Sequence, residues 1–140
     1  MEINYFAVLV AGISGMALGM AWYGPLFGKI WIKLMGFTQA DIKKAQEKGM
    51  GKTIALGFLS QLVMAYVLAY FIIGWATSDA TMTGLSIGLQ SGFWLWLGLV
   101  ATVQLHQVLW EGKSWKYYVL TTGYWLAVTL VMGAILGSWR

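Results

Sequence analysis

The chain has 140 residues, of which 59% are hydrophobic and 10% charged, with a formal net charge of +4 and no cysteine. A soluble domain carries ~25% charged residues and must cover its core with polar surface, so this composition excludes a water-soluble fold. The lack of cysteine excludes disulfides, thiolate metal sites and cysteine nucleophiles, and the length permits a single domain, 1–140.

Four apolar stretches follow one another at 4–23, 53–75, 82–109 and 117–136, and none holds Lys, Arg, Asp or Glu. A bilayer crossing takes ~20 apolar residues, because the hydrocarbon core is ~30 Å thick and a helix rises ~1.5 Å per residue. The expected fold is therefore an all-α membrane protein with four transmembrane helices in one bundle. The first five residues, Met-Glu-Ile-Asn-Tyr, lack a basic leader, so the first stretch reads as a retained helix. Ala7, Ala11, Gly15 and Gly19 recur along it at four-residue spacing, which makes a smooth helix face.

The first connection, 24–52, carries Lys29, Lys33, Lys43, Lys44, Lys48 and Lys52. Pro25 is read as the end of the first helix and the start of another. From there Phe27, Ile30, Trp31 and Leu34 recur at i, i+3, i+4, i+7, which predicts a short amphipathic helix in the membrane interface. Lys29 and Lys33 lie on another face, within reach of anionic headgroups. Gly36 can end this helix, and Thr38 through Asp41 has capping-box spacing, opening a polar helix that stops near Gly49.

Trp22-Tyr23-Gly24-Pro25-Leu26-Phe27-Gly28-Lys29-x-Trp31 after a glycine-rich helix resembles a family of small four-helix membrane proteins catalogued as domain of unknown function 1761. Glu111-Gly112-Lys113-Ser114, Gly123-Tyr124 and Met132-Gly133-Ala134-Ile135-Leu136 are similar to its C-terminal half. The resemblance implies a membrane location and four helices, and carries no activity, substrate or catalytic residue.

The second stretch contains Gln61 and the third Gln90, the two amides placed deep in the membrane. Depth counting puts Gln61 level with Tyr124 and Trp125 of the fourth. Either the glutamines join helices, or with Trp94 and Trp96 they line a cavity for a small neutral or cationic solute. Trp94 and Trp96 are two apart, so one faces lipid or a second subunit and the other turns inward. The third stretch also carries Gly84, Gly88 and Gly92, and the fourth Thr129, Gly133 and Gly137. Together with Ala11, Gly15 and Gly19 these grooves predict tight packing with a face left for a homo-oligomer.

His106 and Glu111 near the end of the third stretch are a candidate titrating pair; the alternative is an interfacial histidine bonded to a neighbour. Catalytic constellations, a metal-ligand set and a phosphate loop are absent: Gly51-Lys52-Thr53 lacks the earlier glycine and the strand that such a loop needs. The expectation is a protein that is no enzyme and uses no cofactor and no metal. The third connection, 110–116, adds Lys113, Trp115 and Lys116 as interfacial contacts. Gly112-Lys113-Ser114-Trp115 echoes Gly28-Lys29-Ile30-Trp31, which suggests either a repeated hairpin or a shared basic-aromatic anchor.

Connections 24–52 and 110–116 lie on one side and hold every basic residue but Arg140. The positive-inside rule puts them in the cytoplasm and both termini outside, in the cell's inner membrane. This places the lysines against anionic lipid headgroups and leaves no surface for nucleic acid. Trp22, Tyr23, Trp31, Trp110, Trp115, Tyr117 and Tyr118 would form the inner aromatic belt. The functional expectation is a small homo-oligomeric transport or channel-like protein; the alternative is a structural protein that holds partner helices or anionic lipid.

Overall fold

The computed structural model describes residues 2–140. Asn4 starts the first helix: its side-chain oxygen accepts from the N–H groups of Phe6 and Ala7, which have no partner inside the helix. Helix α1 (Tyr5–Ala21) continues into a π turn (Trp22–Leu26) that contains Pro25. The helix therefore does not end at Pro25, and no new helix begins there. The Phe27 N–H reaches back to the Trp22 carbonyl at 2.9 Å. A widened turn relieves the clash of a proline ring with the carbonyl four residues earlier, and proline has no N–H to lose.

Helix α2 (Gly28–Met35) ends at Gly36, whose φ of 72° suits a residue without a Cβ. Phe27, Trp31 and Leu34 of its apolar face are half-buried, and Lys29 and Lys33 are exposed. Trp31 sits edge-on to Tyr23 at 5.2 Å and to Phe37 at 5.5 Å, while Ile30 is 51% exposed. Helix α3 (Gln39–Lys48) opens on the capping box: the Thr38 N–H donates to Asp41 Oδ2 at 2.9 Å, and the Asp41 N–H donates to Thr38 Oγ1 at 3.1 Å.

Helix α4 (Gly51–Ser78) is the longest. Thr83 caps α5 (Gly84–Leu95), which passes through a second π turn (Trp96–Ala101) into α6 (Thr102–Glu111). The third apolar stretch is thus not one regular helix. A widened turn adds a residue, so everything beyond it is rotated by ~100° relative to a regular helix. Two bonds to α7 (Trp115–Ser138) bracket it: Trp96 Nε1 donates to the Thr122 carbonyl at 2.8 Å, and the Tyr118 hydroxyl donates to the Ala101 carbonyl at 2.8 Å.

Tyr5–Leu26, Gly51–Ser78, Gly84–Glu111 and Trp115–Ser138 are each long and apolar enough to cross a membrane. The fold is all-α, and α7 is its centre. It packs on α1, α4 and most extensively α5, and carries more buried residues than any other helix. Asn4 Nδ2 donates to the Trp139 carbonyl at 3.2 Å, and Gly84 abuts Gly137. Both termini and the 79–83 turn therefore share one end. The two Gly-Lys-x-Trp strings do different jobs. Gly28 begins α2, whereas Gly112 ends α6 with φ 73°, so the echo marks no structural repeat.

Candidate functional site

The deep polar residues form a closed joint. Gln61 is 4% exposed, and its Nε2 donates to the Tyr124 hydroxyl at 3.1 Å. That hydroxyl donates onward to the Gly15 carbonyl at 2.9 Å. One chain of bonds thus ties α4, α7 and α1. Gln61 Oε1 has no hydrogen-bond partner and presses on Gly15, where a Cβ would overlap it. The glycine is needed there for close approach, and its α-hydrogen offers the oxygen a weak C–H···O contact. Tyr124 lies edge-on to Tyr23 at 5.2 Å and to Trp125 at 4.8 Å. Trp22 closes the side: its Nε1 donates to the Leu120 carbonyl at 3.1 Å. Trp22 and Tyr118 thus join helices rather than float in a belt, while Trp110 and Trp115 stay exposed.

The small-residue grooves meet each other inside the chain. Gly84 faces Gly137, Gly88 faces Gly133 and Gly92 faces Thr129, each so close that a Cβ would collide with the opposite carbonyl. On α1, Ala11 is fully buried, Gly15 meets Gln61, and a methyl at Gly19 would lie 2.9 Å from the Tyr124 hydroxyl. The grooves are filled by helices of the same chain, so their pattern does not mark a face kept for a second subunit.

The α4–α5 seam is different. A groove of about 530 Å³ lies between them, lined by Tyr70, Phe71, Gly74, Trp75 and Ser78 of α4 and by Ser91, Trp94 and Leu95 of α5. A smaller hollow of about 160 Å³ shares Phe71 and Leu95 with it. It runs on past Met64, Leu68 and the Leu99 and Val100 of the second π turn. Ser91 is 3% exposed, and its Oγ has no hydrogen-bond partner. Ser14, Ser60, Thr77, Ser78, Thr102, Thr121, Thr122 and Thr129 each donate to a carbonyl of their own helix three or four residues back. Ser91 does not. No signal in the sequence marked it, since a serine in an apolar helix looks the same whether or not it bonds its own backbone.

The family model described as Protein of unknown function (DUF1761) matches residues 6–137. The chain belongs to that family. No curated protein and no solved structure matches it. In this DUF1761 member the other sequence candidates stand apart from the joint. Gln90 Nε2 donates to Ser86 Oγ at 3.1 Å, within its own helix, and does not enter the Gln61 layer. Trp94 is 56% exposed, while Trp96 is turned onto α7. His106 and Glu111 are both exposed, and among the described residues no hydrogen bond or ion pair links them. Lys29, Lys33, Trp115 and Lys116 are exposed, Trp31 is half-buried, and Lys113 lies 5.2 Å over the Tyr117 ring. Among the described residues no three His, Asp or Glu groups gather as metal ligands.

Proposed function

We propose that this integral membrane protein handles a small uncharged solute along the α4–α5 seam, as a transport-like protein rather than a pore through its own axis. One observation carries the reading. The two hollows share residues and extend from the level of Ser78 to that of Met64, ~21 Å of helix rise, while the axis is shut by the Gln61–Tyr124–Gly15 bonds. Ligand sites between helices are typically ~300–1,000 Å³ and mostly apolar with few polar groups, which the larger hollow matches. The reading includes no catalytic step, no cofactor and no metal.

The same proposal sets the protein in the inner cell membrane, with both termini outside and 24–52 and 110–116 in the cytoplasm. The lysine bias supports that orientation, and the exposed Lys29, Lys33 and Lys116 suit anionic headgroups. Self-association belongs to the proposal too. With the glycine grooves filled, the contact falls on the exposed row where Tyr5 stacks on Tyr66 at 6.4 Å, since lipid offers those hydroxyls no partner. The accessory reading is favoured by α3, which is exposed along nearly its whole length and so free to meet a partner or headgroups.

Uptake of phenyl glucoside, a neutral aromatic solute that crosses lipid slowly, tests the transport reading. Proteoliposomes should fill faster than empty liposomes, and Gly74→Phe should remove the gain. Equal filling with and without protein would leave the accessory reading in possession.

A further inference from the structure

We infer that the groove between α4 and α5 is a binding site for a neutral molecule with an aromatic body and a hydrogen-bonding group that meets Ser91. The inference rests on the transport reading for its place in a function, but its own evidence is local. A buried hydroxyl left without a partner forfeits its bonds to water and gains none in return. Ser14 and Ser60 in the spans avoid that cost by bonding their own backbone. Ser91 carries it while lining the α4–α5 hollow of about 530 Å³. A ligand oxygen accepting from Ser91 Oγ removes the cost only when the groove is filled.

The lining selects the rest of the molecule. It holds no Lys, Arg, Asp, Glu or His, so a charge brought there would be desolvated without a counter-ion. Asp79, just beyond the mouth, already accepts from Thr81. Phe71, Trp75 and Trp94 offer ring faces and edges, which reward offset or edge contacts by another ring. A lipid acyl chain would fill the space and leave Ser91 without a partner. Gly74 completes the design: a Cβ there meets nothing within 4 Å, so the missing side chain is free volume on the groove wall.

Benzophenone tests this directly, being neutral and aromatic, with one acceptor oxygen, and photoreactive. The full-length protein in lipid nanodiscs is irradiated with it, and the labelled peptides are mapped by mass spectrometry. Saturable labelling should concentrate on 70–78 and 91–95. Excess 1-naphthol should compete, and phenyltrimethylammonium should not. Gly74→Phe should abolish the saturable labelling, and Ser91→Ala should weaken it roughly fivefold, the value of one hydrogen bond. Both variants should keep the wild-type elution volume and helical circular dichroism, so loss of labelling is not loss of fold. Labelling spread evenly over the lipid-facing residues of α1, α4 and α7, and unchanged in Gly74→Phe, overturns the site. Equal competition by the cation, or Ser91→Ala labelling like wild type, overturns the ligand class. Saturable labelling without phenyl glucoside uptake leaves the site standing and removes transport.

Discussion

Helix α5 has two faces that differ in kind. Toward α7 it presents Gly84, Gly88 and Gly92, and the backbones close to contact. Toward α4 it presents Ser91 and Leu95 beside Trp94, and a hollow of about 530 Å³ remains. In lipid there is little hydrophobic drive between helices, so association follows van der Waals contact and hydrogen bonds. Small residues on both partners let α5 and α7 gain that contact along their length. Large rings at the α4 side hold the helices apart. One helix is thus clamped on one face and left open on the other, which suits a site that must admit something.

The clamp is the place to break first. A methyl added at Gly88 would lie 2.6 Å from the Gly133 carbonyl carbon and 3.3 Å from the Gly137 α-carbon, all backbone that cannot swing aside. Gly88→Ala should cost on the order of 3 kcal/mol or more, as overpacking against a rigid wall does. Thermal unfolding in detergent reads it directly. A loss below ~1 kcal/mol would mean that α5 and α7 can part, and the contrast between the two faces would fail.

The joint gives a second, smaller break with a built-in asymmetry. Tyr124→Phe strands the Gln61 amide donor and leaves the Gly15 carbonyl with its helical bond alone, and should cost ~1–3 kcal/mol. Gln61→Leu removes a donor together with an acceptor that had no partner, and should stay within ~1 kcal/mol of wild type. Neither change touches the groove, so neither should alter benzophenone labelling at 91–95. Equal costs for the two variants would show that Gln61 Oε1 is better satisfied than its surroundings indicate.

Much of this layout was readable in the chain. Uncharged length marked the spans, and Thr38 with Asp41 marked a cap because its bonds are local. Depth counting brought Gln61 level with Tyr124. What escaped was relational. Glycines at four-residue spacing announce a close approach but not to whom, and here Gly88 met Gly133 rather than a second subunit. Both π turns escaped because periodicity assumes 3.6 residues per turn, and the one at Trp96–Ala101 turns the following residues to a new face. Gln90 looked like a member of the deep layer until its bond to Ser86 placed it elsewhere.

The open face predicts the reverse sign. Gly74→Ala adds a methyl into open space on a helix, so it should stabilise by ~0.5–1 kcal/mol through the loss of unfolded-chain freedom. The same detergent unfolding curve that shows Gly88→Ala falling should show Gly74→Ala level or rising. If Gly74→Ala falls as well, the groove is narrower than about 530 Å³ and the two faces are alike.

The smallest effect separates the faces by titration. Asp79 lies in the turn between α4 and α5, at the open end of the groove. Its carboxyl is held below the ordinary 3.8, first by the Thr81 hydroxyl and then by the Thr81 N–H. A depressed folded value means that the bond's contribution is complete above the ordinary value and fades as the pH falls through the folded one. Asp41, bonded to Thr38, is held low in the same sense on the far side of the molecule. The α5–α7 clamp contains no carboxylate. In nanodiscs, the Thr81 amide resonance should therefore shift as the pH drops below 3.8, and Asp79→Ala should abolish that step. The Gly88 amide should stay still. Asp79 is half-buried and its side chain bonds only Thr81 of the same turn, so the change should remain a local loosening of the turn. A Gly88 signal that moved with Thr81 would mean that the turn pulls on the clamp, and that the closed and open faces of α5 respond as one.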